Sequence, residues 1–162
     1  MKIKNDIKMF VTDCDGVLTD SGMYYFDNGI EAKKFNTRDG VAFSILKSKG
    51  IIVGIITGEN TQIVKNRANK LKTDFVILGS TNKAKDLENI CKEYNVSLEN
   101  VVYVGDDIND ISVMKIVGFS ACPKDAIKEV RKIADYKSSK KGGYGVVRDI
   151  VNKFIKENLN EK

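Results

Sequence analysis

Short, fully apolar runs alternate along this chain with longer stretches that have a helical pattern. The apolar runs predict strands at 7–11, 51–56, 75–78, 101–104 and 119–122. The longer stretches predict helices at 60–71, 82–94, about 125–133 and about 146–158, and a further helix that opens within 36–40 and ends at Gly50. This alternation favours an α/β fold, with a doubly wound parallel sheet covered by helices on both faces.

One pair of strand-like segments departs from this alternation. Residues 23–26 and 30–35 flank Asn28 and Gly29, and an Asn-Gly pair between strand-forming segments is a strong hairpin signal. The sequence therefore predicts a β-hairpin that projects from the core as a flap.

The composition fits one domain over residues 1–162. The chain is 42% hydrophobic, which is enough for a core, and it is too short for two domains of ordinary size. No apolar run approaches the roughly 20 residues of a membrane span, and the first residues lack the apolar core of a signal peptide. We therefore expect a cytoplasmic protein with no membrane partner.

The charged and sulfur-containing residues argue against several other classes of protein. The net charge is +5, but the lysines are dispersed along the chain, so no nucleic acid partner is expected. Cys14, Cys91 and Cys122 form no CxxC pair, which argues against a disulfide framework or a zinc site. There is no histidine, so catalysis would have to use carboxylates, lysine, threonine or a hard metal ion.

Polar side chains follow three of the predicted strands at the point where each strand ends. They are Asp13 and Asp15 after the first strand, Thr57, which is followed by Gly58, after the second, and Asp106 and Asp110 after the strand at 101–104. In open parallel sheets, ligands bind at the carboxyl ends of the strands. Lys83 stands in the first turn of a predicted helix, where a positive charge is unfavourable, and this also points to function.

Two structural explanations of these acids have to be considered. An EF-hand calcium loop that began at Asp13 would need an acid at its fifth position and Glu at its twelfth, where Val17 and Tyr24 stand. Each aspartate alone could equally cap a helix or form a turn. The ordered set at several strand ends, together with Thr57 and Lys83, favours a functional site.

Four short motifs follow one another along the chain. In order they are Asp13-Cys14-Asp15-Gly16-Val17, Thr57, Lys83 and Gly105-Asp106-Asp107-x-x-Asp110. This set resembles the motifs of the haloacid dehalogenase (HAD) superfamily. The hairpin and the segments 35–40 and 141–148 further resemble the capless sugar-acid phosphatases, a group that includes 3-deoxy-D-manno-octulosonate 8-phosphate (KDO 8-phosphate) phosphatase. The resemblance implies a Rossmann-like HAD core with a hairpin flap and no cap domain.

The resemblance also implies a phosphatase that uses Mg²⁺ and forms an aspartyl-phosphate intermediate. Asp13 would be the nucleophile, and Asp15 would be the general acid and base. The metal would be held by Asp13, Asp106 and the backbone carbonyl of Asp15.

Further roles follow from the same resemblance. The oxygens of the transferred phosphoryl group would be bound by Thr57, Gly58 and Lys83, while Asp110 and Asn109 would orient the metal ligands and Lys83. Members of this group form tetramers in which the hairpin builds the interface and the C-terminal segment of a neighbour closes the site. A homotetramer that acts on a phosphorylated sugar acid is therefore expected.

The residue after Thr57 and Gly58 separates two branches of this group. The octulosonate enzymes typically carry Arg there, whereas this chain has Glu59, followed by Arg67 and Lys70. This set resembles the branch that acts on 9-phosphates of deaminated or N-acylated neuraminic acids. The predicted substrate is thus a nonulosonate 9-phosphate, with KDO 8-phosphate as the alternative. From the residues alone, Arg67 and Lys70 would be an exposed basic helix face.

Some alternatives stay open at this point. Arg38 and Asp39 either contact the substrate or simply cap the helix that they open. A sugar phosphomutase would use the same first two aspartates, but such enzymes normally carry a cap domain. A non-catalytic oligomerisation module, such as a partner domain of a sugar-nucleotide synthetase, would be expected to lack a motif residue.

Overall fold

Six parallel strands form the central sheet of the computed structural model, which describes residues 6–159. The strands of this sheet are β1 (Met9–Thr12), β4 (Ile52–Ile56), β5 (Phe75–Ile77), β6 (Val101–Val104), β7 (Phe119–Cys122) and β8 (Tyr136–Lys137), and a separate pair consists of β2 (Tyr24–Tyr25) and β3 (Glu31–Ala32). The helices are α1 (Thr37–Ser48), α2 (Gln62–Leu71), α3 (Lys83–Glu93), α4 (Ile111–Met114), α5 (Lys128–Ile133) and α6 (Val146–Leu159). The sheet has the order β5-β4-β1-β6-β7-β8, so the predicted α/β fold is confirmed.

The order of the strands reverses between β1 and β6. From β1 the chain winds outward through β4 and β5 on one side, and from β6 it winds through β7 and β8 on the other. Thr12, at the carboxyl end of β1, lies beside Ile55 of β4 and Val104 of β6. In doubly wound sheets, ligands bind outside the strand ends at such a reversal. The residues that follow β1, β4 and β6 are therefore placed at one crevice.

Helices cover both faces of the sheet. Successive residues of a strand point to opposite faces, so Phe10 packs with α1, α2 and α6, whereas Met9 and Val11 pack with α3, α4 and α5. Because both faces are covered, the inner strands β1, β4 and β6 are mainly apolar instead of alternating. This is why uninterrupted apolar runs predicted them.

The predicted hairpin consists of β2 and β3, which pair with each other in antiparallel orientation. It follows β1 and precedes α1 in the sequence. Gly29 has a φ of +78° in its turn, as the Asn-Gly signal anticipated. Apolar side chains on the hairpin are 49–68% exposed; they are Met23, Tyr24, Tyr25, Phe26 and Ile30. Residues 6–159 contain no cap domain in addition to this hairpin. In the same range, no helix has the length and apolar character needed to cross a membrane.

Three details differ from the sequence prediction. The strand β8 has two residues, and α4 is one turn that continues a 3₁₀ turn at 108–110, so neither carries enough periodic pattern to be recognised. The helix α5 begins at Lys128 instead of near Asp125, and before it Ile127 donates its backbone N–H to the carbonyl of Asp106 at 3.0 Å. That bond ties the connection after β7 to the loop after β6.

Candidate active site

An open cavity of about 240 Å³ lies at the carboxyl ends of β1, β4 and β6. The predicted site residues that line it are Asp13, Asp15, Thr57, Gly58, Glu59, Asp106 and Asn109. Sequence reasoning had not assigned site roles to the other lining residues, which are Ser21, Met23 and Asp107. The reversal of strand order thus brings groups from separate parts of the chain to one place.

Asp13 is the first residue after β1, and it is buried at the wall of the cavity. Its Oδ1 accepts the backbone N–H of Cys14 at 2.7 Å and lies 3.0 Å from the Nζ of Lys83. Burial and then the charge of Asp110 raise the pKa of Asp13 to about 7, although Lys83 acts in the opposite direction. A carboxylate that is oriented in this way can serve as a nucleophile.

Lys83 is the first residue of α3, and its side chain is buried. Its Nζ lies between the Oδ1 atoms of Asp13 and Asp110, at 3.0 Å and 2.7 Å. Burial alone would lower the pKa of Lys83, but the charges of Asp13 and Asp110 outweigh burial and raise it. The unfavourable charge at the start of this helix is therefore explained by ion pairs within the site.

Asp110 is fully buried, and both of its carboxylate oxygens accept hydrogen bonds from other residues around the site. Its Oδ1 accepts Lys83 and, at 2.9 Å, the hydroxyl of Tyr103, while its Oδ2 accepts the backbone N–H of Asp106 at 2.9 Å. With both oxygens engaged, Asp110 orients Lys83 and the loop of Asp106. Sequence reasoning missed Tyr103, because an aromatic residue inside an apolar strand gives no signal beyond that of the core.

Carboxylate oxygens of Asp13, Asp106 and Asp110 lie within 4.8 Å of one another. The Oδ1 of Asp106 is buried and has no hydrogen-bond partner, and burial followed by the charges of Asp13 and Asp110 raises the pKa of Asp106 to about 8. A bound cation would satisfy this oxygen and relieve the repulsion. Because Asp110 is already engaged on both oxygens, Asp13 and Asp106 remain as candidate ligands, and hard carboxylate oxygens suit Mg²⁺.

Gly16 brings the loop after β1 close to Asp106. Its φ is +86°, and a Cβ at this position would lie 1.9 Å from Asp106 Oδ2. On the other side of the loop, Gly143 donates its backbone N–H to the carbonyl of Val17 at 3.0 Å. The glycine-rich segment 142–145 therefore packs against the loop after β1 of its own chain.

Asp15 lies at the cavity with both carboxyl oxygens engaged. Thr19 donates its hydroxyl to Oδ1 at 3.0 Å, and the Nζ of Lys33 lies 2.6 Å from Oδ2. Sequence reasoning missed both partners. A lysine beside a short hairpin strand has the pattern of an exposed charge, and no sequence signal distinguishes the two cases.

Thr57, Gly58 and Asn109 supply polar groups to the same cavity. Thr57 is buried, and its Oγ1 accepts the backbone N–H of Glu59 at 3.2 Å. A Cβ on Gly58 would lie 4.0 Å from the Nδ2 of Asn109, so the loops after β4 and β6 meet here. Hydroxyl, amide and backbone N–H donors suit the oxygens of a phosphoryl group.

The structure does not bring Arg38 and Asp39 to the cavity. Asp39 is fully buried, and its Oδ1 accepts the backbone N–H of Arg148 at 3.0 Å in the first turn of α6. Burial raises the pKa of Asp39 to about 6, although nearby backbone amides and Arg67 lower it. Arg38 is exposed at the start of α1, where its backbone N–H binds the side chain of Asn36. Both residues thus lie at helix ends.

Of the three residues that predicted a nine-carbon substrate, Glu59, Arg67 and Lys70, only Glu59 lines the cavity. Arg67 donates from Nη2 to the carbonyl of Asn36 at 2.9 Å, and its guanidinium lies 5.0 Å from the ring centre of Phe35. Lys70 is exposed in the last turn of α2. Arg67 and Lys70 therefore do not line the cavity of their own chain.

The chain is similar to known phosphatases over nearly its whole length. The 3-deoxy-D-manno-octulosonate 8-phosphate phosphatase KdsC of Escherichia coli K12 is 37% identical over 150 residues, which are 93% of this chain and 80% of that protein. The Yersinia pestis protein of the same name is 34% identical over the same shares. Residues 75–150 match the family described as haloacid dehalogenase-like hydrolase.

Solved structures of KDO 8-phosphate phosphatases share the fold. The Moraxella catarrhalis enzyme, in complex with magnesium ion, phosphate ion and KDO, has a TM-score of 0.92 and 34% identity, with 95% of this chain and 88% of that one covered. The cobalt-bound Haemophilus influenzae enzyme has a TM-score of 0.92 and 31% identity, with 98% and 92% covered.

These likenesses agree with the geometry of the site. The expected use of Mg²⁺ is confirmed, because the acidic cluster offers the ligands that the ion prefers and the Moraxella relative binds magnesium. The match with the E. coli enzyme covers 93% of this chain and 80% of that protein at 37% identity. The chain therefore belongs to the haloacid dehalogenase-like hydrolases, in the group of the KDO 8-phosphate phosphatases, and it is a phosphatase.

Proposed function

We propose that the protein hydrolyses the phosphate monoester of a sugar 2-keto acid, with KDO 8-phosphate as its substrate. The observation that carries the chemistry is the position of Asp13 at the cavity, paired with Lys83 and next to Asp106. The substrate is supported by the KDO 8-phosphate phosphatases that match 93% of this chain. These relatives favour the eight-carbon substrate over the nine-carbon substrate that the sequence first indicated.

In the first step, a carboxylate oxygen of Asp13 attacks phosphorus, and the bond from phosphorus to the sugar oxygen breaks. An aspartyl phosphate forms on Asp13, while Asp15 gives its proton to the departing sugar oxygen. Thr57, the N–H of Gly58 and Lys83 bind the non-bridging oxygens of the phosphoryl group.

In the second step, water attacks the phosphorus of the aspartyl phosphate, and the ionised Asp15 takes the proton from that water. The bond between phosphorus and the Asp13 oxygen breaks, which releases phosphate and restores both carboxyl groups. Asp13, Asp106 and the backbone carbonyl of Asp15 would hold Mg²⁺, whose charge favours the approach of an anionic nucleophile to an anionic ester. Asp110 and Asn109 keep Lys83 and the loop of Asp106 in place.

A nonulosonate 9-phosphate is the second candidate substrate, and Glu59 favours it. Glu59 lines the cavity directly after Thr57 and Gly58, where the octulosonate enzymes typically carry Arg. A carboxylate there would accept hydrogen bonds from hydroxyl or amide groups of the sugar, whereas Arg would attract its carboxylate. Enzymes for the two candidate substrates would therefore present opposite charges to the sugar at this position.

The proposed active form is a homotetramer that assembles through the hairpin. Its apolar side chains are 49–68% exposed in one chain, and exposed apolar patches mark protein contacts. Residues 6–159 provide no cap over the cavity, so closure against water would come from a neighbouring copy.

A small panel of phosphate esters tests the substrate. The purified protein is assayed with Mg²⁺ on KDO 8-phosphate, a nonulosonate 9-phosphate and a hexose 6-phosphate, with Asp13→Asn as the inactive control. We expect the highest kcat/KM for KDO 8-phosphate. A preference of about tenfold or more for the nine-carbon ester would establish the second candidate instead. Hydrolysis of none of the three esters would contradict the proposed chemistry.

A further inference from the structure

Lys33 carries a buried positive charge beside the proposed acid and base. Its side chain is 1% exposed, and its Nζ lies 2.6 Å from Asp15 Oδ2 and 3.8 Å from Glu31 Oε1. Asp15 lines the cavity, whereas Lys33 lies behind it and does not. The hydrogen bond to Asp15 is therefore the direct contact of Lys33 with a residue that lines the cavity.

Lys33 and Thr19 together hold both oxygens of the Asp15 carboxyl. Thr19 donates to Oδ1 from the same loop, and Lys33 donates to Oδ2 from the hairpin. Thr19 is itself fixed, since it is fully buried and its Oγ1 accepts the backbone N–H of Gly16 at 3.3 Å. A hydrogen bond from a charged ammonium group is stronger than one between two neutral groups, so it orients the carboxyl firmly.

The next residue, Lys34, also pairs with an aspartate, but its side chain is much more exposed than that of Lys33. Lys34 pairs with Asp20 at 2.6 Å, but its side chain stays 46% exposed. Burial of an ammonium group costs free energy unless a charged partner compensates for it. The fold nevertheless buries Lys33 against Asp15, whereas the next lysine pairs with Asp20 and the hydroxyl of Tyr144 while it stays about half exposed. This difference indicates a role for Lys33 at the site.

We propose that Lys33 is a positioning residue for proton transfer, which fixes the Asp15 carboxyl in the orientation that protonates the leaving sugar oxygen. The inference rests on the proposed function, in which Asp15 is the general acid. It also links the hairpin to the chemistry, because a displacement of the hairpin would displace Lys33 and the Asp15 carboxyl with it. General acid catalysis contributes about 10²- to 10⁴-fold, and a misplaced acid forfeits part of that.

Two substrates with different leaving groups distinguish a role in proton transfer from a role in substrate binding. Lys33→Met removes the charge and keeps the length of the side chain. The single-turnover rate of leaving-group release isolates the first step from hydrolysis of the aspartyl phosphate, and it is measured with KDO 8-phosphate and 4-nitrophenyl phosphate. A sugar oxygen needs a proton to depart, whereas 4-nitrophenolate departs without one. We expect the sugar-ester rate to fall about tenfold to a hundredfold, with little change in the aryl-ester rate or in KM.

The same hairpin offers a matched control. Lys34→Met breaks the adjacent lysine–aspartate pair, and we expect both of its rates to stay at the wild-type level. Lys33→Arg keeps the charge and should recover most of the sugar-ester rate. In an Asp15→Asn background, Lys33→Met should cause no further loss, because the group that it positions is absent. If Lys33→Met does not fold, Lys33→Gln replaces it with the same expectations.

Three results would overturn the inference alone. The first is a wild-type rate on the sugar ester in folded Lys33→Met, and the second is an equal loss of rate on both esters. The third is a raised KM with an unchanged rate, which would show that Lys33 contacts the substrate. A wild-type protein without phosphatase activity would instead overturn the proposed function. An Asp15→Asn variant that loses equally on both esters would overturn the acid role of Asp15, and this inference with it.

Discussion

Gly142 packs directly against Gly16, since a Cβ on Gly142 would lie 2.0 Å from the carbonyl oxygen of Gly16. Gly16 has no room on its other side, where its own Cβ would lie 1.9 Å from Asp106 Oδ2. The loop after β1 is thus confined between the glycine-rich segment 142–145 and Asp106, a proposed metal ligand. The spacing between this loop and Asp106 therefore depends on the small size of Gly142.

Gly142→Ala is expected to lower both the affinity for Mg²⁺ and kcat/KM, because its methyl group would push the loop towards Asp106. Overpacking of this kind costs about 1–3 kcal/mol. Calorimetric titration with Mg²⁺ and steady-state kinetics measure the two effects. Gly40→Ala in α1 is the control, since a Cβ there meets no atom closer than 3.5 Å. An unchanged Mg²⁺ affinity in Gly142→Ala would contradict the prediction.

Asp13→Asn is expected to abolish turnover while the fold persists, because an amide of the same shape is a poor nucleophile at phosphorus. Without Mg²⁺ its Tm should change little, since the lost pair with Lys83 is offset by relief of repulsion with Asp106 and Asp110. Stabilisation by added Mg²⁺ should be smaller than in the wild type. Thermal unfolding with and without Mg²⁺ measures this. Turnover within about tenfold of the wild type would contradict the assignment of Asp13.

Asp39 is expected to make the stability of the protein depend on pH. Burial raises its pKa from 3.8 to about 6, so between these values the folded protein keeps a proton that the unfolded chain has released. The contribution of Asp39 to the free energy of unfolding is therefore greatest below about pH 4. It falls by about 3 kcal/mol as the pH rises through 6.

Urea unfolding of the wild type and Asp39→Asn at about pH 4 and about pH 7 tests this sign. The asparagine cannot ionise and can still accept the N–H of Arg148, so the variant should gain stability relative to the wild type as the pH rises. Other titrating groups are common to both proteins and cancel in the comparison. Parallel pH profiles would show that Asp39 titrates alike in the folded and unfolded states.

Glu59→Arg is expected to shift the substrate preference towards KDO 8-phosphate, because a cation at the cavity would attract the sugar carboxylate. Such contacts are worth about 1–3 kcal/mol, or about ten- to a few hundredfold in the ratio of kcat/KM values. The measurement is kcat/KM for the eight- and nine-carbon esters on both proteins. Glu59→Gln, which removes the charge at similar size, separates charge from shape. An unchanged ratio in Glu59→Arg would exclude contact between this position and the sugar.

Tyr25→Ser combined with Phe26→Ser is expected to dissociate the proposed tetramer. These side chains are 68% and 56% exposed in one chain, and their apolar area would be buried on association. Sedimentation velocity measures the change, with Val41→Ser, an exposed apolar residue of α1, as the control. A wild-type monomer with full activity would contradict both the assembly and the closure of the site by a neighbour.

Much of the fold and most of the catalytic groups could be predicted because they follow from a local pattern. A strand covered on both faces is an unbroken apolar run, and 51–56 and 101–104 are such runs. The carboxyl ends of parallel strands meet at one edge, so residues after different strands approach one another whatever their separation in sequence. This is why Asp13, Thr57 and Asp106 were expected together, and they line one cavity.

Residues whose role depends on a distant partner could not be predicted in this way. Asp39 has the sequence setting of a cap for its own helix, yet it binds the first turn of α6 instead. Arg67 lies on a helix face that the pattern marks as exposed, yet it reaches the carbonyl of Asn36. The sequence around each is compatible with either outcome, and the packing of α1 against its neighbours decided between them.

By itself, the sequence determined an α/β fold with carboxylates, Thr57 and Lys83 near one edge of the sheet, because strand periodicity and chain order suffice for that. Only the tertiary structure decided that Lys33 holds Asp15 and that Asp39 is buried against Arg148. The partners in these two pairs are 18 and 109 positions apart. A charged side chain has the same local pattern whether it ends in water or against such a partner, and only packing brings the two groups within hydrogen-bonding distance.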